Sequence, residues 1–301
     1  MRKSILPGVM SALLTPFNED GSVKLSSIGE LVDFQLERGL DGLYVCGSTG
    51  EGMVMESEDR MAVAEAVVKA ARGRKQVIVH VGCPDTKTAV KLARHADSIG
   101  ADGLSSVPPY YYKHDKSFVA EYYRDLAGST ELPILAYYVP SLVAGLSFND
   151  LLDLMKIRNV VGIKFTEDNF ELMYKLIEQT QGNKIIFTGH DALLLSGLVM
   201  NSSGGIGAFY NVMPKGFSNV YKLFKSGDLV SAKEEMLRIN HFINIMKKYM
   251  LSSNQAPLKA VLKAFGVDAG VPKKPAKGLG KDDADSLVNE LKREGFFSYY
   301  G

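Results

Sequence analysis

Short apolar runs rich in β-branched residues recur along the chain and alternate with stretches whose apolar positions have helical spacing. They predict eight strands, at residues 9–14, 42–45, 77–81, 103–107, 134–138, 160–165, 185–188 and 205–209. The starts of these runs lie roughly 20 to 35 residues apart, which leaves room for one helix and two loops between strands. This spacing is typical of the βα units of a parallel sheet.

The segments between the runs carry the signals of helix ends. Ser57 is placed to cap the second helix, and Gly73 follows its last apolar turn. Two helix exits are almost identical, Gly-Leu-Asp-Gly-Leu at 39–43 and Gly-Ala-Asp-Gly-Leu at 100–104, which indicates a repeated structural unit. Eight such units favour a closed (β/α)8 (TIM) barrel over an open doubly wound sheet, and no Gly-x-Gly-x-x-Gly fingerprint follows the first run.

The strand signal stops after Asn211, and only helical spacing continues to a last helix near residues 283–293. We therefore predict an α/β fold with two parts: a (β/α)8 barrel over residues 1–215 and a C-terminal helical extension, packed on the barrel, over residues 216–301. The chain contains no low-complexity linker that would mark a separate second domain.

Composition and charge narrow the class of ligand. Of the 301 residues, 46% are hydrophobic and 23% are charged, as in a globular protein. The 35 Lys and Arg residues nearly balance the 34 Asp and Glu residues, and the net charge is +1. We therefore expect a small-molecule substrate and no nucleic-acid or membrane partner.

The cysteines and the N-terminus bear on the compartment. Cys46 and Cys83 both lie within apolar runs and are interpreted as reduced core thiols, which fits a cytoplasmic protein. The basic residues at the start precede no apolar signal-peptide stretch, and no run of about 18 apolar residues occurs. We expect neither secretion nor a membrane span.

A glycine-rich segment follows the second predicted strand, at the end where barrel enzymes place their active sites. It reads Gly47-Ser48-Thr49-Gly50-Glu51-Gly52. Its amide and hydroxyl donors suit a carboxylate or a phosphate. An ordinary glycine-rich βα turn explains the same residues equally well.

Lys164 is the most informative single residue, because it lies inside the apolar sixth run. Burial at such a position disfavours the charged ammonium, and a neutral amine can attack a carbonyl carbon and form a Schiff base. From this run alone, a lysine that reaches to solvent from a strand end is an equal alternative.

Other polar side chains follow further strands. Tyr137 ends the fifth run, where a phenol can move a proton, although a core tyrosine is the commoner outcome. Tyr111, after the fourth run, serves either chemistry or an interface. Asp191, after the seventh, either binds substrate hydroxyls or caps the next helix. The five histidines show no ligand spacing, so we expect no metal site.

Four motifs together resemble the Schiff-base aldolase family of dihydrodipicolinate synthase and N-acetylneuraminate lyase. They lie at residues 47–51, 137–140, 162–164 and 204–207, and the resemblance spans about residues 8 to 215. It implies a carbon–carbon lyase in which Lys164 forms an imine with pyruvate or another 2-oxo acid. Because the imine is itself the electron sink, the resemblance implies no metal and no dissociable cofactor.

The resemblance also implies roles for the catalytic residues. Tyr137 would be the proton shuttle, and Ser48 and Thr49 would hold the substrate carboxylate. Tyr111 is similar to the tyrosine that the family donates across a subunit interface, which implies an oligomer, usually a homotetramer. The implied substrate-binding residues are Gly47, Thr166, Gly189, Asp191 and, through its backbone carbonyl, Ile206.

Individual positions separate the branches of this family. The synthases place an arginine where this chain has Leu142, and leucine cannot make that bidentate contact with a carboxylate. The lyases place an acidic residue and a serine where this chain has Ala192 and Ala208. Val143 and Ala144 also lengthen the following stretch by one residue relative to the lyases. The resemblance is still closer to N-acetylneuraminate lyase, because Ser48, Leu142, Lys164-Phe165-Thr166 and Gly189-x-Asp191 are similar to the lyase pattern. The two alanines imply weaker binding of a polyhydroxyl tail.

Several functions stay open at this point. Within the family, the alternatives are dihydrodipicolinate synthase and 2-keto-3-deoxygluconate aldolase. Outside it, a phosphate-binding barrel isomerase would use residues 204–207 as its anion site. A sugar-binding regulatory barrel without turnover is the non-enzymatic alternative.

Overall fold

The structure is a computed structural model that describes residues 3–112, 114–142, 145–250 and 255–301. Within these residues, parallel strands form a closed barrel in which each strand pairs with the next and the last pairs with the first. The strands are β1 (Gly8–Ala12), β2 (Gly42–Val45), β3 (Gln76–His80), β4 (Gly103–Ser106), β5 (Ile134–Tyr138), β6 (Val160–Phe165), β7 (Ile185–Thr188) and β8 (Gly204–Gly207). The predicted (β/α)8 barrel is confirmed, with some strand ends shifted by one or two residues.

A helix follows every strand and packs on the outside of the barrel. The helices are α1 (Ile28–Glu37), α2 (Ser57–Ala71), α3 (Thr86–Ser98), α4 (Lys116–Ser129), α5 (Phe148–Lys156), α6 (Phe170–Gln179), α7 (Leu194–Val199), α8 (Pro214–Lys225), α9 (Leu229–Lys247), α10 (Gln255–Ala264), α11 (Lys281–Arg293) and α12 (Phe296–Tyr300). The division of the chain into a barrel and an extension at residue 215 stays a prediction. In the structure it falls in the first turn of α8, which completes the eighth βα unit before the extension begins.

The near-identical helix exits in the sequence have the same structural role. Gly39 and Gly100 have φ values of +92° and +88°, a left-handed conformation that glycine adopts without steric cost. The aspartate that follows each glycine then binds the preceding strand. Asp41 accepts a hydrogen bond from the Val9 amide at 3.0 Å, and Asp102 accepts one from the Val77 amide at 2.8 Å.

Side-chain hydrogen bonds cap the N-termini of several helices, but the capping residues are not always those that the sequence indicated. Asp85 accepts a hydrogen bond from the Thr88 amide at 2.8 Å and so caps α3. Such a cap contributes about 1 kcal/mol. Ser57, expected as the cap of α2, is instead its first helical residue, and Glu56 occupies the cap position without a side-chain hydrogen bond.

Two apolar cores hold the barrel. The larger lies between the strands and the surrounding helices. The smaller fills the barrel interior and includes Met10, Tyr44, Ile78, Leu135 and Phe187. These side chains pack the barrel interior, and the active sites of this fold lie at the carboxyl ends of the strands. None of the helices in the described ranges combines the length and the apolar character needed to cross a bilayer.

Candidate active site

Lys164 lies in the barrel wall, next to the tyrosine that the sequence singled out. It is the fifth residue of β6, is 4% exposed, and is the Cα partner of Tyr137 in the parallel ladder. Its Nζ lies 4.1 Å from the centroid of the Tyr44 ring and 4.2 Å from that of Tyr137. Among the described residues this ammonium forms no ion pair, so two aromatic faces surround it in place of a carboxylate.

A cavity of about 290 Å³ opens above Lys164 at the carboxyl end of the strands. The predicted site residues that line it are Thr49, Tyr137, Lys164, Thr166, Gly189, Asp191 and Ile206. Ala192 and Ala208, the two positions where the lyases were expected to carry polar groups, also line it. The cavity therefore combines a buried amine, several hydroxyls and one carboxylate with an imidazole, a second lysine and apolar side chains.

Thr166 presents an unused hydroxyl in the wall of this cavity. Its Oγ1 is buried and has no hydrogen-bond partner among the described residues. Gly189 makes room for it, because a Cβ at position 189 would lie 1.9 Å from Thr166 Oγ1. A buried hydroxyl without a partner is costly, so this group is available to bind a substrate atom.

Asp191 holds the loop after β8. Its Oδ1 accepts a hydrogen bond from the Phe209 amide at 2.7 Å. Burial raises the pKa of Asp191, and the backbone amides of Phe209 and Ala208 oppose this effect. The carboxylate thus shapes the wall that carries Ala208, and it does not act as the cap of the next helix.

The glycine-rich segment forms a tight loop, residues 47–52, which we call the Ser48–Thr49 loop. The Gly52 amide donates to the Gly47 carbonyl at 3.1 Å, and the Glu51 amide donates to the Ser48 carbonyl at 3.1 Å. Ser48 and Thr49 are half-buried, and their hydroxyls bind no other residue in the described part of the chain. Thr49 lines the cavity, whereas Gly47 and Ser48 are not among the residues that line it.

A histidine that the sequence did not distinguish lies against the two tyrosines. The ring of His80 lies 6.1 Å from those of Tyr44 and Tyr137, and its Nε2 accepts a hydrogen bond from the Val107 amide at 3.1 Å. Burial, together with the charges of Arg60 and Lys164, holds the pKa of His80 well below its usual value. His80 is therefore a neutral packing partner of the site.

Arg60 supports this histidine from α2. Its guanidinium is buried and donates to the carbonyls of His80 and Gly82 at 2.7 and 3.0 Å and to Cys83 Sγ at 3.1 Å. Both cysteines are buried and unpaired. Burial raises the pKa of Cys46 to about 12 and also raises that of Cys83, so both remain thiols.

Two of the residues discussed from sequence lie away from the cavity. Tyr111 is 88% exposed, and its ring packs edge-on against Tyr112 at 5.0 Å. Leu142 is 63% exposed and does not line the cavity. Val143 and Ala144 lie outside the described residues. In the described segments, no group of three or more His, Cys, Asp or Glu side chains is arranged to hold a metal ion.

The fold and the site together define a class of protein: a (β/α)8 barrel enzyme whose cavity holds a buried lysine. The chain belongs to the dihydrodipicolinate synthetase family, whose model matches residues 5–294. The N-acetylneuraminate lyase of Rhizobium meliloti is 34% identical over 94% of this chain and 93% of its own. The 4-hydroxy-tetrahydrodipicolinate synthase of Acetivibrio thermocellus is 30% identical over 98% and 99%.

A solved structure agrees with these sequence relatives. The N-acetylneuraminate lyase of Fusobacterium nucleatum superposes with a TM-score of 0.90 at 30% identity, covering 96% of this chain and 98% of that one. The family resemblance drawn from the sequence motifs is therefore confirmed. This chain is a lyase of the aldolase class.

Proposed function

We propose that this enzyme reversibly cleaves a 2-oxo-3-deoxy sugar acid to pyruvate and an aldehyde through a lysine imine. The observation that carries the proposal is Lys164, a buried amine in the wall of a cavity that is also lined by three hydroxyl-bearing residues and by Asp191. Among the described residues, the amine faces the rings of Tyr44 and Tyr137 and no carboxylate, so no anionic partner there has to be displaced before it reacts.

The imine forms when Lys164 Nζ attacks the 2-oxo carbon and water leaves. The C3–C4 bond then breaks, its electron pair moves into the protonated imine to give an enamine, and Tyr137 relays the proton that leaves the C4 hydroxyl. A proton added at C3 and one water molecule release pyruvate and regenerate the amine. The protonated imine supplies the electron sink, so the proposal includes no metal and no dissociable cofactor.

The remaining residues hold the substrate. Ser48 and Thr49, with the backbone amides of their loop, bind the carboxylate. Thr166 offers its hydroxyl, which has no partner in the described part of the chain, Gly189 gives that hydroxyl space, and the Ile206 carbonyl accepts a hydrogen bond. The Asp191 carboxylate binds a hydroxyl further along the substrate.

The tail of the substrate distinguishes this enzyme from its named relatives. The methyl groups of Ala192 and Ala208 line the cavity and offer no hydrogen bond. We expect a shorter or less hydroxylated tail than that of N-acetylneuraminate, as in a 2-keto-3-deoxygluconate aldolase. The exposed Leu142 gives no carboxylate contact of the kind expected for a dihydrodipicolinate synthase.

The assembly that we propose is a cytoplasmic homotetramer. Tyr111 and Tyr112 expose 88% and 70% of their surfaces on the active face of the barrel. Large aromatic side chains in such a position favour contact with a second copy. In this assembly Tyr111 reaches the site of its neighbour.

Borohydride trapping tests the reaction. The enzyme is incubated with pyruvate, reduced, digested and analysed by peptide mass, and the adduct is expected on Lys164. Lys184 provides a matched control, because its half-buried ammonium donates to the Val160 carbonyl at 2.8 Å, at the opposite end of β6. Lys184→Ala should be trapped like the parent, whereas Lys164→Ala should not. Full trapping in Lys164→Ala contradicts the proposal.

A substrate comparison separates the branches. Pyruvate release is measured with N-acetylneuraminate, 2-keto-3-deoxygluconate and 4-hydroxy-2-oxo acids, and pyruvate condensation is measured with aspartate semialdehyde. If only the condensation of pyruvate with aspartate semialdehyde proceeds, the enzyme is a dihydrodipicolinate synthase. Tight inhibition by phosphorylated sugars without any adduct would favour the barrel isomerase, and sugar binding without turnover would favour the regulatory barrel.

A further inference from the structure

The Ser48–Thr49 loop is supported from outside the barrel by the C-terminal extension. Gln255, at the start of α10, donates from Nε2 to the Ser48 carbonyl at 3.1 Å. Lys259, one turn later, contacts Glu51 with 2.9 Å between Nζ and Oε1. The amide of Lys273 donates to the other Glu51 oxygen at 2.7 Å. Three residues of the extension therefore fix one six-residue loop.

The Lys259–Glu51 ion pair is buried and has its hydrogen bonds satisfied. Lys259 is 3% exposed and Glu51 is 6% exposed. Besides Glu51, Lys259 Nζ donates to the carbonyls of Thr15 and Val271 at 2.8 and 2.6 Å, so all three ammonium hydrogens have acceptors. Buried ions in this geometry are held in one arrangement, because any displacement leaves a charge without a partner.

The loop itself needs such support. Glu51 has φ +59°, in the left-handed region that disfavours residues with a Cβ. Its backbone amide also donates to the Ser48 carbonyl. Strained backbone of this kind persists only where the surrounding structure fixes it. Here the fixing contacts converge on Glu51 and on the Ser48 carbonyl.

We infer that Lys259, acting through Glu51, is a positioning residue that sets the Ser48 and Thr49 donors for the substrate carboxylate. The inference rests on the proposed function, because that function gives Ser48 and Thr49 their role. The carboxylate is bound alike before and during bond cleavage, so loss of the pair weakens binding of the 2-oxo acid more than it slows the chemical step.

Steady-state kinetics of three variants test this inference. Lys259→Met alone leaves the Glu51 charge buried and can unfold the protein, so the double variant Lys259→Met with Glu51→Gln is the main test. Gln255→Met is a second, milder test, because the Oε1 of Gln255 already lacks a partner among the described residues. Lys263→Met, at an exposed position one turn further along α10, is the matched control.

The expected result is a split between KM and kcat. In the double variant we expect the KM for pyruvate, measured in the condensation direction of the proposed reaction, to rise about tenfold. The kcat of that reaction should stay within about threefold of the parent value. Gln255→Met should raise KM about threefold, and Lys263→Met should leave it unchanged. Circular dichroism and thermal melting establish that each variant is folded.

Two outcomes overturn the inference. If the parent traps pyruvate at Lys164 while the folded double variant and Gln255→Met keep the parental KM, the positioning role is wrong and the proposed function stands. If the parent takes no 2-oxo acid in the trapping experiment, the proposed function and the positioning role are overturned together.

Discussion

Lys164 and Tyr137 face each other across the β5–β6 ladder, with 4.2 Å between the Lys164 Nζ and the centroid of the Tyr137 ring. Tyr44 lies at 4.1 Å from the same nitrogen. The two rings are nearly perpendicular, at 83°. The amine of Lys164, the ring of Tyr137 and the hydroxyl of Tyr137 are separate features of this arrangement, so substitutions can remove them one at a time.

Lys164→Met tests whether the buried amine serves activity at the expense of stability. We expect pyruvate release to fall by on the order of 10⁴-fold or more, because the nucleophile is lost. A buried polar group without an ion-pair partner is costly, and an apolar side chain of similar shape removes that cost. Urea denaturation should therefore give an unfolding free energy equal to or above that of the parent, and a marked loss of stability would contradict this interpretation.

Tyr137→Phe separates the hydroxyl from the ring. The ring remains beside Lys164 and His80, so trapping of pyruvate at Lys164 should persist. Loss of proton transfer should lower kcat for cleavage by about 10²–10⁴-fold.

Tyr44→Phe is the matched control for that variant. Tyr44 lies at the same distance from Lys164, but its hydroxyl donates to Ser105 Oγ at 3.0 Å and not to the cavity. We expect a stability cost of about 1 kcal/mol and little change in kcat. Equal losses of kcat in the two variants would show that the Tyr137 hydroxyl has no special role.

The lowered pKa of His80 predicts that the unfolding free energy depends on pH. Its pKa in the folded chain lies well below 6.5, whereas in the unfolded chain it returns to about 6.5. Below that pH the unfolded chain binds a proton that the folded chain does not, so the unfolding free energy falls as the pH falls. The slope reaches at most about 1.4 kcal/mol per pH unit, and the effect vanishes above about pH 7.

Denaturation curves between pH 5 and 8 measure this slope. In His80→Gln the contribution of His80 to the pH dependence of the unfolding free energy should disappear, because glutamine does not titrate. Glutamine also keeps an acceptor for the Val107 amide. His114→Gln, at an exposed histidine, should behave like the parent. An unchanged slope in His80→Gln would assign the pH dependence to other groups.

Ala192→Glu and Ala208→Ser test the substrate preference. Both side chains would enter the cavity wall, where they add hydrogen-bonding groups for a hydroxylated tail. Each should raise kcat/KM for N-acetylneuraminate by roughly 2–10-fold relative to short 4-hydroxy-2-oxo acids. Trapping with pyruvate, which has no tail, should not change. If the ratio of the two substrates stays constant, these alanines do not set specificity.

The barrel could be predicted from the sequence because each strand is a short continuous apolar run followed by a helical segment with clear end signals. Lys164, Tyr137 and the Ser48–Thr49 loop were also visible, since each interrupts or ends such a run with a reactive group. Asp191 was found, but its hydrogen bond to the Phe209 amide joins two strand ends and has no local signature.

The residues that hold the site residues in place could not be predicted from the sequence in the same way. Glu51 lies in the glycine-rich segment after β2, but the sequence indicates no role for it, because its partner lies 208 residues further along the chain. Arg60 and His80 look like ordinary residues of an amphipathic helix and a strand until the fold brings them together. Lys259 lies in a helical segment where nothing distinguishes it from the exposed lysine at position 263.

The contacts between α10 and the Ser48–Thr49 loop also bear on the order in which the protein becomes active during synthesis. A ribosome releases the barrel strands first, and the helix that carries Gln255 and Lys259 emerges only after more than four-fifths of the chain. Contacts this distant in sequence form late in folding. If Ser48 and Thr49 bind the substrate carboxylate as proposed, a chain that ends before α10 has Lys164 but lacks the contacts from Gln255 and Lys259 that hold their loop.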